Sequence, residues 1–110
     1  MRVNLFDETT KILRNHGHSW KDVHFVSLKV NEKDYYVNVK DFSLMSAKYE
    51  YSNSFGCVWV PFSLKIVGED WWLERNEYDG SEWWEFKQKP LKPLEEISVY
   101  DTAFKECFLR

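Results

Sequence analysis

The sequence predicts an α+β domain: a small antiparallel sheet of about five to six short strands, with one or two short helices packed on one face. Aromatic residues make up 18% of the 110-residue chain, including six Trp, and aromatics carry the largest apolar surface per side chain and suit the pleated surface of strands. Several segments alternate apolar and polar residues with the strand period of two, whereas few group their apolar residues at helical spacing. Asp79-Gly80 lies between two β-rich runs and is the strongest hairpin signal in the chain.

From the N-terminus, Asn4 caps a short amphipathic helix with Asp7 three positions on; Leu5, Phe6, Ile12 and Leu13 gather toward one side before Gly17 stops it. Ser19 to Asp22 resembles a capping box with Asp in place of the usual Glu. Val23 to Val30 reads as a strand with His24, Val26, Leu28 and Val30 on one face. After the polar residues 31–34, Tyr35 to Val39 forms its antiparallel partner. A second helix starts at Asp41, buries Phe42, Met45 and Tyr49, and ends near residues 52–56. Cys57 to Val60 and Leu64 to Val67 read as short strands with a bend at Pro61, and residues 68–70 form a turn. Beyond the Trp71 to Lys87 hairpin, Pro90 and Pro93 favour an extended connector. Two readings stand for the C-terminus: a strand through Ile97, Val99 and Tyr100, or helical spacing of Phe104, Cys107 and Phe108 after a cap at Asp101.

Length sets one domain over residues 1–110. Apolar residues at 44%, charged residues at 30%, four Gly and three Pro exclude low complexity and disorder. Cys57 and Cys107 belong to no CxxC motif and are too few for a disulfide framework, so they read as buried small hydrophobes in a reduced, cytoplasmic setting. The first residues carry no apolar leader and no eighteen apolar residues run together, so neither export nor a membrane span is expected. A net charge of −3 offers no broad basic footprint, which disfavours direct nucleic-acid binding.

A two-residue loop at Asp79-Gly80 sets Tyr78 against Ser81, Arg75 against Trp84 and Leu73 against Phe86. Trp71, Leu73, Trp84 and Phe86 then share the core face, with Arg75 placed to lie over Trp84. The opposite face carries Trp72, Glu74, Asn76, Tyr78, Trp83 and Glu85, the candidate partner-binding residues. The same register opposes Glu77 to Glu82 and Glu74 to Glu85, a like-charge tension that a bulge would relieve or that an external partner would use. Residues 69–86 hold seven acids against Arg75 alone, so charge is segregated onto this hairpin. A solvated acidic face and an acidic, aromatic docking surface are the two readings of that run.

Catalytic signatures are weak. His16 and His18, with His24 beyond, suggest a metal site only if a third ligand converges, and His16 equally suits a helix C-terminus. Glu74 and Glu85 beside Trp72 and Trp83 resemble a sugar-binding carboxylate pair, but one hairpin offers no deep cleft. No phosphate-binding Gly loop or nucleophile elbow occurs. The expectation is a non-enzymatic protein without cofactor or metal.

The strings HGHSWKDVHFV at residues 16–26 and VGEDWWLERNEYDGSEWWEFKQKP at residues 67–90 resemble small uncharacterised proteins encoded by phages and prophages of Gram-positive bacteria. That resemblance covers about a third of the chain and implies an accessory protein that acts by binding in the host cytoplasm, for example on a host-defence protein. The leading expectation is therefore an interaction protein whose acidic, Trp-rich hairpin meets a protein partner with a basic surface. The runner-up is a sugar- or nucleotide-binding module with Arg75 and Glu85 as polar anchors. A self-associating structural protein, a homo-oligomer through the Trp-rich face, is the third.

Overall fold

A computed structural model describes residues 2–53 and 57–109. It is an α+β fold with a five-stranded antiparallel sheet and a separate two-stranded ladder. The elements run β1 (Arg2–Asn4), α1 (Leu5–Asn15), a 3₁₀ turn (Trp20–Asp22), β2 (Phe25–Val30), β3 (Lys33–Val37), α2 (Val39–Ala47), β4 (Glu50–Ser52), β5 (Lys65–Val67), β6 (Trp71–Tyr78), β7 (Ser81–Gln88) and α3 (Thr102–Glu106). The large sheet has the order β3-β2-β5-β6-β7, and β1 pairs with β4.

Local chemistry explains most of the boundaries. Asn4 Oδ1 accepts the Asp7 N–H at 3.0 Å, a cap worth about 1 kcal/mol. Gly17 takes φ +77° just beyond α1, the left-handed position where glycine has no Cβ to clash. Asp22 accepts the Ser19 N–H at 3.0 Å and closes the 3₁₀ turn. The helix α2 begins two residues earlier than its acidic signal suggests. Its cap is Asn38, whose Oδ1 accepts from Asp41 N at 3.0 Å, so Asp41 sits inside the first turn. The β2–β3 turn is likewise shorter than the polar run 31–34. Asn31 and Glu32 alone form it, both with positive φ, and Lys33 and Asp34 already belong to the ladder. Glu32 bears a left-handed cost of about 1 kcal/mol there.

Three further sequence expectations are corrected. Glu50–Ser52 pairs with Arg2–Asn4 instead of trailing off α2; residues 54–56 lie outside the described residues. Residues 57–60 form no strand, although Val60 is buried. Met45 is half exposed, and Ser46 takes the buried place beside Phe42.

The register lines up Val37, Val26, Ile66, Leu73 and Phe86 across all five strands on the face covered by α1 and α2. Leu5, Leu13, Phe42, Tyr51 and Trp84 complete that core. Gly68 is required by close approach: a Cβ there would fall 2.1 Å from the buried Trp71 ring. The hairpin has the expected continuous register from Trp71↔Gln88 to Tyr78↔Ser81, closed by Asp79 at φ 53° and Gly80 at φ 86°. No bulge interrupts it.

Beyond Gln88 the chain leaves the sheet. Lys89 N–H donates to the Asp70 carbonyl at 2.7 Å, residues 90–97 form no strand, and the C-terminal segment resolves as helix. Asp101 Oδ1 caps α3 through Ala103 N at 2.8 Å, and the Phe104 and Phe108 rings meet at 5.0 Å. The molecule measures 56 × 33 × 31 Å with a radius of gyration of 18.3 Å, against about 13 Å for a compact domain of this length.

Candidate functional site

The hairpin divides its side chains between two faces, as strand alternation demands, and each face carries both aromatic and charged residues. Trp71, Leu73, Arg75, Glu82 and Trp84 turn inward and are buried. Trp72, Glu74, Asn76, Tyr78, Trp83 and Glu85 stand together on the opposite face of the sheet, with Trp83 36% and Tyr78 76% exposed. Two cross-strand rows extend this outer face: Tyr36, Ser27, Lys65, Glu74 and Glu85 form one, and Phe25, Val67, Trp72 and Lys87 the other. Tyr36 and Phe25 are exposed, so the aromatic surface continues beyond the hairpin to the far edge of the sheet.

The like-charge tension is relieved without a bulge. Glu74 lies between Glu85 and Lys65 across the strands and accepts the Trp72 Nε1–H at 2.7 Å. Glu85 has Lys87 Nζ at 3.6 Å on its own strand. Glu82 leaves the surface altogether. Its carboxylate accepts from the backbone N–H of Trp59 at 2.7 Å and of Val60 at 3.1 Å, and from Arg75 Nη2 at 2.9 Å.

Around Arg75 the distant parts of the chain converge. The helix α1 contributes Glu8, with Oε2 at 3.3 Å from Arg75 Nη1; β4 contributes Tyr51, whose hydroxyl accepts from Arg75 Nη2 at 3.2 Å and donates to Glu8 Oε1 at 2.8 Å. The guanidinium lies 4.7 Å from the Trp84 ring, a desolvated cation–π contact worth about 2 kcal/mol. Its Nε is buried and finds no acceptor among the described residues. Trp84 Nε1–H donates to Thr9 Oγ1, which in turn donates to the Leu5 carbonyl. Asn53 clasps the Glu82 backbone, accepting from its N–H at 2.9 Å and donating to its carbonyl at 3.1 Å. This clasp blunts part of the β7 edge.

Burial raises the Glu8 carboxyl above its ordinary range, against the opposing pull of Arg75 and the Tyr51 hydroxyl. Burial likewise raises the Tyr51 phenol. Arg75 is lowered by burial but raised more by Glu8, Tyr51 and Glu82, and so stays charged. Because the folded state holds the Glu8 proton more tightly than the unfolded chain, stability contributed by Glu8 is full at acid pH and falls as pH rises above 4.5 through the folded value. Glu8→Gln removes that titration. The stability difference between wild type and variant in urea unfolding is expected to move against wild type from pH 4.5 toward neutrality; a pH-independent difference would contradict the desolvation of Glu8.

The buried position of Arg75, 2% exposed, corrects its reading as a ligand anchor. Cys57 and Cys107 are exposed, not buried. His16 caps the C-terminal end of α1 and stacks on Phe86 at 4.0 Å; His18 stacks on Trp71 at 4.3 Å and pairs with Asp22 at 3.3 Å. The Ser19 N–H, then His18, hold the Asp22 carboxyl below its usual range. Among the described residues no group of three His, Cys, Asp or Glu converges as a metal site, and no helix is long and apolar enough to cross a membrane.

Sequence reasoning placed the outer face and missed the internal cluster. One signal was available: Glu82 shares the period-two face of Trp84 and lies diagonal to Arg75, the only cation of the hairpin core face. In comparisons with protein-family models, curated proteins and solved structures, nothing matches the chain.

Proposed function

We propose that the protein is a non-enzymatic interaction protein that docks a basic surface of a protein partner on the outer face of its β6–β7 hairpin. The observation that supports this reading is the division of charge. Glu82 and Arg75 neutralise one another inside, while Glu69, Asp70, Glu74, Glu77, Asp79 and Glu85 remain at least partly exposed. Between residues 69 and 86 the surface thus keeps only negative charge, next to Trp72, Tyr78 and Trp83, with Lys87 at the foot of β7 as the exposed cation of the hairpin. Aromatic anchors ringed by charge of one sign give contact energy and steering together. The phage-like strings fit an accessory protein that acts on a host protein in the cytoplasm.

The test is capture from host lysate on immobilised protein, comparing wild type with Trp72→Ala/Trp83→Ala and with Glu74→Lys/Glu85→Lys. These outer-face changes leave the core intact. A basic partner retained by wild type, released by added salt and lost from both variants is the expected result. Equal retention by all three proteins, or no partner at all, removes the outer face from consideration.

A further inference from the structure

We infer that the cavity between α2 and residues 59–64 binds a small organic amine, with the apolar body of the ligand inside and its ammonium group at Asp41. This site is independent of the outer hairpin face. Val37 lines it from the side of the sheet that α1 and α2 cover.

The cavity measures about 530 Å³, inside the roughly 300–1,000 Å³ of small-molecule sites. Its lining runs from the buried Phe42, Val60 and Leu64 to the exposed Asp41, Met45 and Trp59, so it opens from the core to the surface. A cavity of this size forfeits dispersion contacts between its walls and tends to collapse unless the walls are held. Here they are held. Glu82 accepts the Trp59 and Val60 N–H groups at 2.7 and 3.1 Å, and Ser63 Oγ accepts the Lys29 N–H at 2.9 Å. Leu64 N–H closes the turn on the Pro61 carbonyl at 3.1 Å. On the α2 side, the Tyr49 hydroxyl donates to the Trp59 carbonyl at 2.8 Å, while its backbone carbonyl accepts from Leu5 and its N–H donates to Ser46. Bonds to β7, β2 and the end of α2 therefore preorganise the site, which lowers the cost of binding.

The lining selects a cation. Phe42, Tyr49 and Trp59 bring three aromatic rings to it, and Asp41 is the one charged residue among the described lining. Aromatic faces attract an ammonium group, and a carboxylate adds a charge-assisted hydrogen bond. Asp41 is available for that role: among the described residues its carboxylate enters no ion pair or hydrogen bond, and only its backbone N–H is used, by Asn38. Volume selects a free molecule. An apolar cavity of about 150 Å³ holds one benzene, so this one takes about 20 non-hydrogen atoms. A partner's lysine, with its four-carbon stem, would leave most of it empty. A helix about 10 Å across is too wide to enter whole, and none of residues 89–109 lines the cavity.

Titration calorimetry of the full chain with biphenylylbutylamine tests this, beside the alcohol and the carboxylate of the same skeleton. The amine is expected to bind about tenfold more tightly than the alcohol, and the carboxylate not at all. Asp41→Asn should erase the advantage of the amine and leave the alcohol unchanged. Met45→Trp, which fills the mouth, should abolish binding of both; circular dichroism checks that each variant folds. Trp72→Ala/Trp83→Ala and Phe104→Glu/Phe108→Glu should bind the amine as wild type does. No binding at millimolar amine, equal affinity for amine and alcohol, or binding that survives Met45→Trp would each overturn the proposal. So would amine binding lost with the outer Trp pair, which would move the site to the acidic face, or tightened tenfold by Phe104→Glu/Phe108→Glu, which would show the C-terminal segment of the chain occupying the cavity.

Discussion

Glu82→Ala is expected to destabilise the fold by about 3–5 kcal/mol, a large share of the stability of a domain this size. The carboxylate joins three structural elements at once. It accepts from Arg75 Nη2 and from the backbone N–H groups of Trp59 and Val60, and it is only 2% exposed. Without it, Arg75 keeps a buried charge facing only Glu8 and Tyr51, and two backbone donors lose their acceptor. Each orphaned donor costs about 1–3 kcal/mol. Glu8→Gln/Arg75→Met/Glu82→Leu separates the two parts: it removes the buried cation together with both of its counter-charges but leaves the Trp59 and Val60 donors unsatisfied. Its destabilisation should therefore be smaller than that of Glu82→Ala, yet clear of zero. Urea unfolding measures all three proteins. A Glu82→Ala protein within about 1 kcal/mol of wild type would show that the cluster does not hold the segment at residues 59–60.

Trp84→Ala should cost about 3–5 kcal/mol, whereas Trp83→Ala, one residue earlier, should cost less than about 1 kcal/mol. Trp84 is buried, donates to Thr9 at 2.9 Å and carries the Arg75 guanidinium over its ring. Its removal opens a cavity and strips the main apolar cover from a buried cation. Trp83 points to the opposite face and is 36% exposed. The contrast bears on function, because partner loss on changing Trp83 can then be read as lost contact. Thermal unfolding of the pair decides it; equal losses of stability would mean that Trp83 also belongs to the packed interior.

The hairpin was legible because its signals are local. Period-two alternation assigns each side chain to a face, and Asp79-Gly80 takes positive φ at both turn positions, which sets the register. The resulting outer face, Trp72 to Glu85, follows directly. The capping residues Asn4 and Asp101 were legible for the same reason, since cap and donor lie within three residues. The start of α2 was misplaced because Asn38 and Asp41 both carry cap chemistry, and only the backbone shows which side chain accepts.

Tertiary structure alone decided where the hairpin's charges go. In the sequence Glu82 is one acid among seven. Its inward role depends on Trp59 and Val60, 23 and 22 residues away, and the role of Arg75 depends on Glu8, 67 residues away. Those backbone donors lie in a segment with no strand partner, so they need an acceptor that local pattern does not reveal. Tertiary structure likewise left most apolar side chains of residues 91–109 exposed, although Phe104, Cys107 and Phe108 follow the helical spacing of a packed element. Short-range periodicity and turn chemistry determine which way a side chain faces; whether it then meets a core, a buried ion pair or solvent depends on what distant segments bring to it.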